Sequence, residues 1–167
     1  MISVAIEPPN AFVKIAGRAA VEGSRDFKAL ILQLRAKGIR HFILDLRDCF
    51  LMDSTFSGVL AGLVELPPPP GSSNGAIRFT LVQPNERVAD LLDNLGVLAL
   101  IERLDLENAP MPGAQTVAHE IQRADHSKVE VAECCLEAHR ILMALKPENA
   151  AKFRAVEQIL SAQLGGR

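Results

Sequence analysis

With 167 residues, 49% of them hydrophobic and 23% charged, the chain has room for one ordinary globular domain and an appendage. A formal net charge of −2 leaves no surplus of Lys or Arg to neutralise phosphates, and Tyr and Trp are absent. Nucleic acid and an aromatic stacking platform are thereby disfavoured. The longest apolar runs, such as 97–101, are far short of the roughly 20 residues a membrane helix needs. The first residues lack the basic start and apolar stretch of a signal peptide, and Cys49, Cys134 and Cys135 have no framework spacing. The expectation is a cytoplasmic protein with reduced thiols and no membrane partner.

Two short β-rich stretches, 3–6 and 11–16, flank Pro8-Pro9-Asn10, which suits a tight antiparallel connection. Ser24 reads as an N-cap for a helix carrying Phe27, Leu30, Ile31 and Leu34 and ending at Lys37-Gly38. The segment 41–48 reads as a strand of near-continuous apolar character, as expected inside a sheet covered by helices. A second helix is expected from Asp53 to about Glu65, ended by the proline-rich loop 67–75. Period-two alternation predicts a strand over 76–82. A third helix follows over 84–96, capped by Asn85 and closed by Gly96, and then a short strand over 101–106.

Residues 108–115 look like a linker between a first domain, 1–107, and an extension, 116–167. In the extension Val117, Ile121, Ala124, Lys128, Val131, Cys135, Ala138, Leu142 and Leu145 alternate at spacings of four and three. Ser127 with Glu130 is alternatively a capping box that starts a fresh helix after a break near Asp125. Pro147 suits N1 of a last helix bearing Phe153, Val156, Leu160 and Leu164. A helical hairpin is the expected outcome. Its stripe either packs back on its own domain or forms a homodimer or partner interface, and both uses bury the same residues.

The most informative stretch is 44–60, LDLRDCFLMDSTFSGVL. A strand delivers the chain to Asp53, Ser54 and Thr55 at the entrance of a helix. One reading is a plain cap, worth about 1 kcal/mol. The other is a displayed hydroxyl beside free helix amides, where a phosphate is tolerated by its own protein yet adds roughly −1.5 to −2 charge to a docking surface. A penalty of about 2.8 kcal/mol lowers binding roughly a hundredfold.

Leu44-Asp45-Leu46, Met52, Asp53-Ser54-Thr55, Gly58 and Val59-Leu60 resemble the signature of the STAS family, and the order of strands and helices over the first two thirds resembles that fold. The resemblance implies an α/β domain, a mixed β-sheet with helices packed on it, here followed by the C-terminal helical hairpin. It implies an anti-sigma factor antagonist whose serine after the aspartate is phosphorylated by an anti-sigma factor serine kinase and restored by a phosphatase of the PP2C type. Ser54 would be the acceptor, with Asp53, Thr55, Phe56, Ser57, Gly58 and Val59 at the partner-binding surface. The ATP would belong to the partner, so the chain itself is expected to need no cofactor and to be no enzyme. The sequence departs from the family in two ways: the acidic site expected after the second strand reads Gly17-Arg18-Ala19-Ala20, and the proline-rich loop and hairpin exceed the minimal domain.

Cys135 and His139 are four apart, as two metal ligands would be, but no second pair completes a site. They read as a packed cysteine beside a surface histidine, and no metal is expected. No nucleophile elbow, Walker loop or dinucleotide fingerprint occurs. Two alternatives to the phospho-switched antagonist remain: a free STAS accessory subunit of a transporter ATPase of the lipid-transport type, and a scaffold whose serine is never modified.

Overall fold

The computed structural model describes residues 1–68, 76–104, 108–110, 112–113 and 116–165. Most of the proline-rich loop expected at 67–75, the end of the strand expected at 101–106, and parts of the linker 108–115 lie outside the described residues.

Strands β1 (Ile2–Glu7) and β2 (Asn10–Ile15) pair antiparallel, Ile2 opposite Ile15 and Glu7 opposite Asn10. Strand β4 (His41–Asp45) runs parallel to β2, and β6 (Arg78–Val82) runs parallel to β4. With β7 (Glu102–Leu104) on one edge and β8 (His119–Glu120) on the other, the sheet order is β7-β6-β4-β2-β1-β8. The apolar run of β4 divides by period two. Phe42 and Leu44 enter the main core, while Ile43 joins Ala5, Phe12 and Val82 in a small cluster with Ala109. Burial on both faces accounts for the near-continuous apolar character read from the sequence.

Besides β8, two strands escaped sequence reading. β3 (Gly17–Ala19) and β5 (Cys49–Met52) pair only with each other, parallel and across some thirty residues of chain. At three and four residues they are too short to show a period. Their pairing brings the chain before the first helix beside the chain before the second.

Helix α1 (Val21–Ala36) begins three residues before the Ser24 cap expected from sequence. Ser24 lies inside it, buried, its hydroxyl donating to the Ala20 carbonyl at 3.1 Å. The N-cap is Ala20, which has no side-chain acceptor to offer. Helices α2 (Ser54–Val64) and α3 (Glu86–Asn94) start where expected, capped by Asp53 and Asn85. Gly96, at φ 81°, follows α3 in the left-handed conformation that glycine adopts freely.

The extension is helical only from residue 128. Residues 119 and 120 pair with β1 instead, and 121–127 carry no regular structure. The stripe that seemed to begin at Val117 is therefore broken, and the capping box decides where. Ser127 accepts from the Glu130 amide while Glu130 accepts from the Ser127 amide, starting helix α4 (Lys128–Leu145). Helix α5 (Pro147–Gly165) follows with Pro147 at its first position. Of the two uses open to the stripe, the structure shows the first. Cys134, Ala138 and Leu142 join the main core, where α4 packs on α2.

Candidate functional site

The start of α2 is built around Asp53. Its Oδ1 accepts from the Phe56 amide at 2.8 Å, an ordinary N-cap, while its Oδ2 accepts from the Val21 amide at 2.8 Å. One carboxylate thus caps two helices. The second bond supplies what Ala20 lacks, and the β3–β5 pairing brings the two helix starts within reach. A carboxylate at position 20 would accept from the second or third amide of α1; in this chain Asp53 accepts from the first.

Ser54 is the first residue of α2, next to free helix amides, as expected. Its surroundings differ from the expectation of a hydroxyl free in solvent. Ser54 is half-buried, and its Oγ lies 3.0 Å from His139 Nε2 on α4. His139 Nδ1 stands 2.8 Å from the Cys135 carbonyl oxygen. A carbonyl only accepts, so Nδ1 carries the proton and Nε2 is left to pair with the Ser54 hydroxyl. The ring of Phe153, on α5, rests against the imidazole at a centroid distance of 4.8 Å.

The surface histidine expected at 139 is instead 4% exposed, because α4 turns that face onto α2. Cys135 is half-buried, its Sγ 3.4 Å from Thr55 Oγ1. Burial pushes the thiols of Cys134 and Cys49 up from their ordinary value, which favours the unreactive protonated form.

The remaining residues of the expected docking surface, Thr55, Phe56, Ser57, Gly58 and Val59, are all buried. They are buried for two different reasons. Phe56 stacks on Phe27 at 4.8 Å, and both it and Val59 belong to the domain's own core. Ser57 donates back to the Asp53 carbonyl at 2.8 Å. Thr55 and Gly58 meet α4 instead. A Cβ on Gly58 would lie 2.4 Å from the Ala138 carbonyl oxygen, and one on Gly62 would lie 2.6 Å from Ile141 Cδ1. At Gly58 the helices approach until backbone meets backbone, and one helical turn on, Gly62 leaves room for the end of the Ile141 side chain.

Among the described residues, no three His, Cys, Asp or Glu side chains come together as metal ligands would. No helix among them is long and apolar enough to cross a membrane. His139 is the contact that sequence reading missed. Its spacing to Cys135 was visible, but the packing of α4 on α2, which gives that spacing its use, was not.

Comparison with known proteins follows this architecture. The family model for the STAS domain matches residues 2–110. No curated protein sequence matches the chain. Among solved structures, the anti-sigma factor antagonist SpoIIAA in its unphosphorylated form is similar at a TM-score of 0.53 and 15% identity, over 64% of this chain and 90% of that one. A proposed anti-sigma factor antagonist from Thermotoga maritima is similar at 0.50 and 22% identity, over 60% of this chain and 82% of that one. At such identities the likeness speaks for the fold alone.

Proposed function

The chain belongs to the STAS domain family, and from that premise we propose that it is a cytoplasmic anti-sigma factor antagonist, a binding protein and not an enzyme. It regulates transcription by docking an anti-sigma factor serine kinase through the start of α2. Ser54 accepts the phosphate and a phosphatase of the PP2C type removes it. The observation that supports this reading best is the position of Ser54. It is the first residue of a helix, directly after a cap that holds two helix starts together, so its Oγ lies beside free amides on a rigid base.

The experiment is incubation with an extract of the native cell and labelled ATP, followed by mass analysis of the protein. One phosphate on Ser54, and none on Ser54→Ala, is the expected result. A Ser54→Ala protein that still takes up one phosphate removes Ser54 from the reading.

A second reading draws on two observations: Ala20 stands where the family often carries an acid, and the Ser54 hydroxyl is engaged by His139. In it the chain is a free accessory subunit of a transporter ATPase, and Ser54 is structural. Co-purification with such an ATPase, and binding undiminished in Ser54→Asp, would favour it over the kinase.

A further inference from the structure

We propose that the α4–α5 hairpin is an autoinhibitory cover, whose docking on α2 is incompatible with a phosphoryl group on Ser54. The proposal rests on the reading of Ser54 as the acceptor, and it adds the control that governs access to it.

The contact has the properties of a fitted cover. It is close: Gly58 admits the Ala138 backbone where any side chain would collide, and Gly62 admits Ile141. It is registered on the acceptor, because His139 is oriented by the Cys135 carbonyl, backed by Phe153 and bonded directly to Ser54 Oγ. One helical turn away on α4, Cys135 closes on Thr55. A direct hydrogen bond of 3.0 Å leaves no room for phosphorus and three oxygens between Oγ and the imidazole. Phosphorylation therefore requires α4 to leave, and a phosphoryl group once present keeps it from returning.

The cover is also built to come off. Its ion pairs to α1, Arg25–Glu130 and Lys28–Glu137, are exposed or half-exposed, a class of interaction worth little individually. Arg25 also donates to the Glu130 carbonyl, and the buried Asn149 bonds the Leu95 carbonyl after α3. The hairpin joins the sheet edge through 121–127, a stretch without regular structure that is pinned by His126 to Asp26 at 2.8 Å and by the Ile121 amide to the Ile2 carbonyl. Residues 1–104 meanwhile supply five of the six strands of the sheet and most of the main core, to which α4 adds Cys134, Ala138 and Leu142. Docked, the hairpin occupies the face of α2 that a partner would read; released, it uncovers Thr55, Gly58 and Gly62 together.

The test uses the full chain, with phosphoserine installed at position 54 during translation, so that no kinase is needed. Amide hydrogen exchange is followed across 128–145 and across β4 and β6, with N-ethylmaleimide labelling of Cys134 as a second readout. The phosphoserine protein is expected to exchange through 128–145 at least tenfold faster than the unmodified chain and to label at Cys134, while β4 and β6 keep their protection. Gly58→Ala, and the milder Ile141→Ala, should do the same without phosphate.

Unchanged or slower exchange in the phosphoserine protein overturns the proposal, since the phosphate would then be accommodated under a docked α4. Wild-type protection in both variants overturns it as well. Should the native extract never phosphorylate Ser54, the proposed function fails, while this exchange result still decides whether phosphate and cover exclude each other.

Discussion

Asp53 and Val21 stand 32 positions apart in the chain, yet the carboxylate of one accepts the first amide of the other's helix at 2.8 Å. The same carboxylate caps its own helix through the Phe56 amide. The residue that reads as a neighbour of the phospho-acceptor is thus also a clamp between α1 and α2.

Replacing Asp53 therefore costs more than a single cap. Asp53→Ala should destabilise the protein by about 2 kcal/mol, at about 1 kcal/mol for each lost cap. Asp53→Ser, which caps α2 but does not reach α1, should cost about half as much. Urea denaturation followed by circular dichroism reads both. An Asp53→Ser protein as stable as the wild type would show that the Val21 bond contributes nothing.

Two helical glycines separate propensity from packing. Gly23 in α1 has open space where a Cβ would go, whereas Gly58 faces the Ala138 backbone. Gly23→Ala should stabilise the protein by roughly 0.5–1 kcal/mol through helix propensity. Gly58→Ala should show no such gain and a net loss, because the hairpin must shift or leave. Thermal melts of the two variants side by side give the answer; a stabilised Gly58→Ala would contradict the close approach of the helices.

Asn149, fully buried at the start of α5, ties the hairpin to the end of α3. Its Nδ2 donates to the Leu95 carbonyl at 3.0 Å and to the Leu142 carbonyl at 2.8 Å. Asn149→Asp turns this donor into a carboxylate facing two carbonyl oxygens and should cost more than Asn149→Leu, which only loses the bonds, roughly 1–3 kcal/mol. Denaturation midpoints rank the pair, and a more stable Asp variant at neutral pH would refute the assignment.

Acid should loosen the hairpin. Glu130 is held below the usual carboxylate range by bonds from the Ser127 amide and hydroxyl, and Glu157 by bonds from Arg140 and Ser161. A carboxyl whose folded value is lowered stabilises the fold above its unfolded value, and that contribution fades as pH falls through the folded one. The start of α4 and the α4–α5 contact should therefore weaken below the ordinary glutamate range, by an amount limited by their exposure to solvent. Carboxyl NMR titration checks the direction: Glu130 and Glu157 should both titrate low, and an ordinary value for either removes its part in the effect.

Much of the fold was legible from its residues. The stripe Phe27, Leu30, Ile31, Leu34 placed α1, Asn85 and Gly96 bounded α3, and Ser127 with Glu130 marked the start of α4, because helix periods and caps are local signals. The motif around Ser54 likewise pointed to the family that the match over residues 2–110 shows. What reached beyond local chemistry was hidden. The α1 cap was assigned to Ser24 because the true acceptor, Asp53, arrives through a pairing of two very short strands. The spacing from Val117 to Ala124 reads as part of the helical stripe because periodicity does not report that 119 and 120 are claimed by the edge of a sheet.

The same division runs through the site. Sequence alone determined that a hydroxyl would sit at a helix start beside an aspartate, since both follow from adjacent residues. Only the tertiary structure decided that this hydroxyl is covered. Its partner lies 85 positions away, and the approach depends on the missing side chains of Gly58 and Gly62, whose use appears only when another helix is laid against them.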